Sequence, residues 1–249
     1  MDLKEEHAIG GDPERHWYYI SKARAIKTLI GSEPVESLVD VGAGSGVFSR
    51  MLIEQGVAKR SVCVDPNYED EWIGARRTDS ISYLRAIERV GAPLVLMIDV
   101  IEHVDDDVAL IRDYAARADN GTRFVISVPA FNFLWSSHDE FLEHRRRYTL
   151  GALKAVVEAA GLEPLKMRYF FGMLFPAAAA LRLADRAMKA DREAKESALK
   201  AAPDWLNETL VAIHDIERLA LFPLNKVAGV SAFCLAEKPA AVAREAVAA

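Results

Sequence analysis

The sequence predicts a doubly wound α/β fold, in which a mostly parallel sheet carries helices on both faces. Short β-rich runs alternate with stretches of helical periodicity, as they do when crossover helices connect parallel strands. One run, Pro93–Ile98, is uniformly apolar, which suits a central strand buried on both faces. A glycine-rich turn, Asp40–Gly46, separates a β-rich run from a helical one. With 249 residues the chain is long enough for one large domain, or for one domain carrying an insertion.

A first amphipathic helix is expected at about Pro13–Ile30, carrying His16, Trp17, Tyr18 and Tyr19. Ser37–Val41 reads as the first strand, followed by the glycine turn and a helix from Val47 to about Gln55. Arg60–Asp65 reads as the second strand. A third is expected near Gly74–Thr78, before a helix at Ser80–Val90. After the strand at Pro93–Ile98 comes a helix at Asp105–Ala118, whose first-turn aspartates suit the positive end of the helix dipole. Thr122–Val128 is the fifth strand, ended by Pro129. Thr149 caps a helix with Leu153, Val156, Val157 and Ala160 at helical spacing and Gly161 as its stop. Glu163–Phe170 and Val230–Glu237 are the last two strands.

Between those two strands lies a segment that a simple doubly wound fold does not need. It holds a charged, Ala-rich stretch (Ala184–Ala202) and an amphipathic helix (Trp205–Phe222) with Leu206, Leu210, Ile213 and Ala220 on one side. The expected division is an N-terminal helical segment (1–36), an α/β core (37–170), a helical lid (171–229), and a last strand with a frayed tail (230–249).

A net charge of −6 argues against a nucleic-acid backbone as the main partner, which calls for a concentrated basic face. The two cysteines, Cys63 and Cys234, suggest neither a disulfide framework nor a metal cage. The first residues are too acidic and polar for a secretory signal. The longest apolar run, Tyr169–Leu181, contains Pro176, is flanked by Arg168 and Arg182, and is too short to span a bilayer. A cytoplasmic protein is expected, with peripheral membrane contact left open and the oligomeric state unspecified.

The glycine turn can bring backbone close to a ligand at a helix start. In a dinucleotide fingerprint the third glycine would stand at 47; here that residue is Val47 and the glycine is Gly46. Asp65, with Pro66 beside it, ends the second strand, where a carboxylate can receive a ribose diol. Asp79 and Ser80 are expected to open the helix after strand three, where an acidic side chain would receive an adenine amino group. Asp99 ends strand four. On this reading all of them share the carboxyl rim of the sheet, where open α/β sheets bind ligands.

Val39-Asp-Val-Gly-Ala-Gly-Ser-Gly46, Asp65 and Asp99-Val-Ile-Glu-His-Val104 resemble the successive motifs of class I S-adenosylmethionine-dependent methyltransferases, over roughly Ser37–Val128. His16–Tyr19, Leu134–Glu140 and His144–Thr149 resemble a bacterial subgroup of that family. The resemblance implies a seven-stranded sheet of order 3-2-1-4-5-7-6 with the last strand antiparallel, which keeps Cys63 and Cys234 on separated strands. It implies that Gly42 and Gly44 back onto the methionine moiety and that Asp65 holds the ribose. Asp79 and Ser80 would border adenine, and Asp99 with Val100 would lie beside the methyl group.

Several residues keep two readings at this level. Asp40 either supports the turn or touches the cofactor, and Asp79 serves as a helix cap or as an adenine contact. His103 is a proton acceptor for the substrate or a packed side chain. His138 and His144 contact substrate or steady a loop, and their spacing matches no compact metal motif, so no metal is expected. Arg146 and Tyr148, in the basic run Arg145–Arg147, recognise an acidic group on the acceptor or lie on a salt-bridged surface. Trp17, Tyr18 and Tyr19 are read chiefly as packing. The expected activity is methyl transfer from S-adenosylmethionine to oxygen, nitrogen or carbon of a small or lipid-linked acceptor. The alternatives are a nicotinamide-dependent oxidoreductase and a cofactor-binding scaffold without transfer activity.

Overall fold

The computed structural model describes residues 11–187 and 203–240. Its elements, in chain order, are α1 (Trp17–Ile30), β1 (Val35–Val41), α2 (Val47–Glu54), β2 (Ala58–Val64), α3 (Asp70–Arg76), β3 (Ile81–Leu84), β4 (Leu94–Ile98), α4 (Asp107–Arg117), β5 (Arg123–Pro129), α5 (Ser137–Phe141), α6 (Leu150–Ala159), β6 (Glu163–Phe170), α7 (Phe175–Ala187), α8 (Asp204–Ala220) and β7 (Ser231–Glu237). Most of the charged stretch Ala184–Ala202, and the tail after residue 240, lie outside the described residues.

The seven strands form one sheet of order β3-β2-β1-β4-β5-β7-β6, as the motifs implied. β1 to β5 run parallel, while β7 is antiparallel to both β5 and β6. Strand alternation sorts the core into two layers. From β4, Val95 and Met97 face a cluster with Ile111 and Tyr114 of α4 and Leu153 and Val157 of α6. Leu94, Leu96 and Ile98 face the other way, against Tyr19, Ile26 and Leu29 of α1 and Phe48 and Leu52 of α2. All five residues of β4 are buried, as its uniform apolarity requires. Cys63 and Cys234 are free and buried, on β2 and β7, with three strands between them.

One stretch departs from expectation. The region expected to hold strand three begins as a helix, α3, with Asp70 and Glu71 in its first turn. The strand comes later, where Ile81-Ser-Tyr-Leu84 alternates buried and less buried positions beside β2. The helix expected at Ser80–Val90 is therefore absent.

The inserted helix α8 packs on α1. The Asn207 side chain accepts from Trp17 N at 2.7 Å and donates to Arg15 O at 2.8 Å. Arg24 pairs with Asp215. The most buried residues of α8 are a polar pair rather than its apolar side: Glu217 accepts from Gly172 N (2.6 Å) and pairs with His214 (3.0 Å). Ala220, expected on the buried side, is exposed.

Candidate active site

At the end of β1 the chain turns sharply through Gly42, Gly44 and Gly46 into α2. Gly42 has φ +62°, and a Cβ there would stand 2.8 and 2.9 Å from the two Cγ atoms of Val100. Only glycine allows that approach. Two tyrosines steady the turn: Tyr68 donates to Gly44 O at 2.6 Å and Tyr83 to Ser45 O at 3.3 Å. Asp40 points inward and accepts from Ser49 Oγ at 2.8 Å. Ser49 lies 2.7 Å from Ser61 Oγ, so Asp40 ends a buried hydroxyl chain. Burial pushes its pKa up to about 6 even though the Ser49 bond opposes the rise. Its hydrogen bonds run to Ser49 of α2 rather than to the backbone of its own turn.

Asp65 follows β2 on the carboxyl rim, half-buried, with its carboxylate accepting from Gly44 N (3.3 Å) and Asn67 N (3.0 Å). Pro66 beside it is exposed. Asp79 and Ser80 correct an expectation. They precede β3 instead of following it, and Ser80 O accepts from Ser61 N in the middle of β2. They sit on the amino rim, across the sheet from the glycine turn, and cannot border a nucleoside bound there.

A cavity of about 180 Å³ opens at the carboxyl ends of β4 and β5, between α1 and the insertion. Asp99, Glu102, His103, His138, His144 and Arg147 contribute its polar lining. Trp17, Tyr18, Leu142, Phe171 and Leu174 contribute apolar wall. Tyr18 stacks on Phe171 with ring centroids 5.4 Å apart, and Trp17 stacks on His214 at 5.6 Å. Trp17 and Tyr18 thus both pack and face the cavity. Asp99 and Phe171 take φ of +53° and +59°, so two non-glycine residues on the wall hold a left-handed backbone.

Asp99 is held by three donors: Lys22, Tyr18 Oη (3.1 Å) and Ser127 Oγ (3.2 Å). Burial opposes its charge, but the ammonium of Lys22 outweighs that and keeps its pKa below the ordinary value. Lys22 is fully buried, and its Nζ also donates to Tyr18 Oη at 2.8 Å. Glu102, three residues on, is fully buried with neither carboxylate oxygen hydrogen-bonded among the described residues. Burial, and then the charge of Asp99, raise its pKa well above the usual carboxylate range.

The basic run serves as a clasp. Arg145 donates from its backbone N to Glu102 O and from Nε to His103 O, each at 2.8 Å. Arg146 gives its guanidinium to Val104 O, Asp105 O and Asp107. Tyr148 is buried and donates to Asp107 at 2.6 Å. The expected substrate contacts of Arg146 and Tyr148 are therefore corrected, since internal partners occupy both side chains away from the cavity. Arg147 is the arginine of this run that lines it, and its guanidinium reaches Asp139 at 2.6 and 3.0 Å. Asp139 also closes the capping box of α5 with Ser136 and meets His144 Nδ1 at 2.9 Å. Burial opposes its charge, but His144 and Arg147 hold its pKa far below normal.

The structure thus brings His103, His138, His144 and Asp99 onto one cavity. Sequence reasoning passed over Lys22 and did not place Glu102 or Asp139 among the site residues. Lys22 had a signal, because it follows Tyr19 and precedes Ile26 on the apolar side of an amphipathic pattern.

A glycine turn with a carboxylate beyond the next strand, on a sheet of this order, defines a class of nucleoside-cofactor enzymes. The chain belongs to the family described as methyltransferase domain, which matches residues 15–167, and is a class I S-adenosylmethionine-dependent methyltransferase. No curated protein matches it. It is similar in fold to a chain from the Haloferax volcanii complex of the Trm112 methyltransferase activator and a methyltransferase (15% identity, 96% of this chain, 95% of that one, TM-score 0.56). It is also similar to phosphoethanolamine N-methyltransferase 2 of Haemonchus contortus, solved with S-adenosylmethionine (16% identity, 87% and 52%, TM-score 0.53). A third similar structure is the [4+2]-cyclase SpnF (16% identity, 88% and 81%, TM-score 0.52). At these identities the likeness shows the fold alone. The residues fit the family's cofactor: Asp65 offers a half-buried carboxylate beside a turn that has no Cβ at Gly42 and Gly44. Among the described residues no helix is long and apolar enough to cross a membrane.

Proposed function

We propose that the chain transfers the methyl group of S-adenosylmethionine to a small or lipid-linked acceptor held in the cavity beneath Trp17, Tyr18 and Phe171. One observation carries this reading. Val100 packs against the glycine turn, while its neighbour Asp99 lines the cavity with His103, His138 and His144, so cofactor turn and cavity share a wall. When bound, the cofactor supplies a methyl group already activated by its sulfonium. The chain's own task is then to orient the two reactants.

In this reading Asp65 receives the ribose diol, and Gly42 and Gly44 admit the methionine portion. Asp99 and Val100 border the methyl group. The aromatic wall excludes water, and a histidine of the cavity accepts the proton that an acceptor hydroxyl or amine loses. The described parts of the insertion, residues 171–187 and 203–229, act as a lid over the acceptor. Exposed apolar side chains after and along α8, among them Trp205, Leu219, Leu224 and Val227, favour an amphipathic acceptor and peripheral contact with a lipid surface.

The test is transfer of labelled methyl from the cofactor into fractionated small-molecule and lipid extracts. Label is expected in one acceptor fraction, and His103→Gln is expected to slow turnover by about 100-fold or more with cofactor affinity unchanged. Cofactor binding without labelled product in either extract would favour the scaffold reading.

A further inference from the structure

We propose that Glu102, His103 and His144 form a binding site for one first-row divalent cation, with Zn²⁺ as the best-matched ion, inside the cavity. One ligand atom from each residue lies within 4.8 Å of the others. Nitrogen and oxygen ligands stand roughly 2.0–2.2 Å from a shared ion, hence within about 4 Å of one another, so side-chain rotation of order 1 Å closes the set. Two imidazoles and one carboxylate are a donor set that suits transition ions and leaves coordination positions open. Mg²⁺, which takes oxygen ligands, fits it poorly.

Three features of the surroundings point the same way. Glu102 is fully buried with neither oxygen hydrogen-bonded among the described residues, which is costly for a carboxyl group in either protonation state. The nearby ammonium of Lys22 is paired with Asp99. His144 meets the buried carboxylate of Asp139 through Nδ1 at 2.9 Å, which leaves Nε2 as its ligand nitrogen for an ion. That carboxylate–histidine arrangement orients metal-binding imidazoles. Arg145 then ties the His144 segment to the backbone of Glu102 and His103, fixing all three ligands relative to one another.

The bound ion would lie where an acceptor oxygen enters, ready to polarise it, with His138 outside the trio as proton acceptor. That catalytic role rests on the methyl-transfer reading. The binding itself does not.

The experiment is calorimetric titration of the chelator-treated full chain with Zn²⁺, Mn²⁺ and Mg²⁺, without cofactor or acceptor. One equivalent of Zn²⁺ is expected to bind, Mn²⁺ more weakly and Mg²⁺ least. Glu102→Gln and His103→Asn should each weaken Zn²⁺ binding by at least about 10-fold, and Asp139→Asn, acting through His144, by about 10- to 100-fold. Melting curves identify any variant that fails to fold, and the remaining two then decide. Absence of Zn²⁺ uptake by the wild-type chain, or uptake unchanged in the folded variants, overturns the site. Zn²⁺ uptake without methyl transfer would leave the site standing and remove the activity. Full transfer in chelator without Zn²⁺ uptake would do the reverse.

Discussion

Lys22, fully buried on α1, meets the carboxylate of Asp99 just past the end of β4. This pair joins the N-terminal helix to the wall of the cavity, and Tyr18 Oη, in contact with both, completes the link. An ion pair this deep adds little net stability as a pair, but breaking it exposes the desolvation cost of the partner left behind.

Lys22→Met leaves Asp99 charged without its counter-ion and is expected to destabilise the fold by about 3–5 kcal/mol. The double variant Lys22→Met/Asp99→Asn should recover much of that loss. Urea unfolding of both variants measures the difference, and equal losses would show that Lys22 acts through packing alone.

Gly42→Ala combines a left-handed backbone with a Cβ 2.8 Å from Val100. The expected cost is about 1–3 kcal/mol for the backbone strain, plus the clash. Adding Val100→Ala should relieve the clash and leave the strain, so the double variant should recover part of the loss in thermal unfolding.

Asp65→Ala removes the carboxylate offered to the ribose. The dissociation constant for S-adenosylhomocysteine, measured by calorimetry, should rise by about 10-fold or more, the scale of a lost charge-assisted hydrogen bond. An unchanged constant would remove Asp65 from the cofactor site.

Asp40 provides a pH signature. Its pKa rises from 3.8 to about 6 on folding because burial disfavours the charged form. A raised pKa means that the stability tied to its protonated form is complete below about pH 4 and lost as pH rises through 6. Asp40→Asn can still accept from Ser49, so it should gain stability relative to wild type between pH 4 and 7, by at most roughly 3 kcal/mol. Chemical denaturation across that range measures the difference, and a gap independent of pH contradicts the assignment.

Cys63 and Cys234 are buried, and burial pushes both thiols up to about 12. Since the thiolate is the reactive form, neither should take up iodoacetamide at pH 8 until the chain unfolds. Rapid labelling of the native chain, read by mass spectrometry, would refute this.

Much of the core was legible because its signals are local. The apolar run of β4, the glycine turn and the capped helix at Thr149 each come from neighbouring residues with one backbone solution. The region 70–90 was misread because a short strand, Ile81–Leu84, carries little periodicity and the acidic start of α3 was overlooked. That shift carried Asp79 and Ser80 to the wrong rim.

The sequence by itself determined the alternation of strands and helices and the glycine turn, which rest on period and turn chemistry within short spans, while strand order and enzyme class followed from the resemblance of its motifs to a known family. It also named His103, His138 and His144 as candidates over one rim, without their contacts. Only the tertiary structure decided that Glu102 and His103 meet His144 some forty residues on, that Arg146 and Tyr148 are committed to internal partners, and that Lys22 is the counter-ion of Asp99. The physical reason is that a buried charge is tolerated only beside its partner, and which partner lies near depends on how distant segments pack.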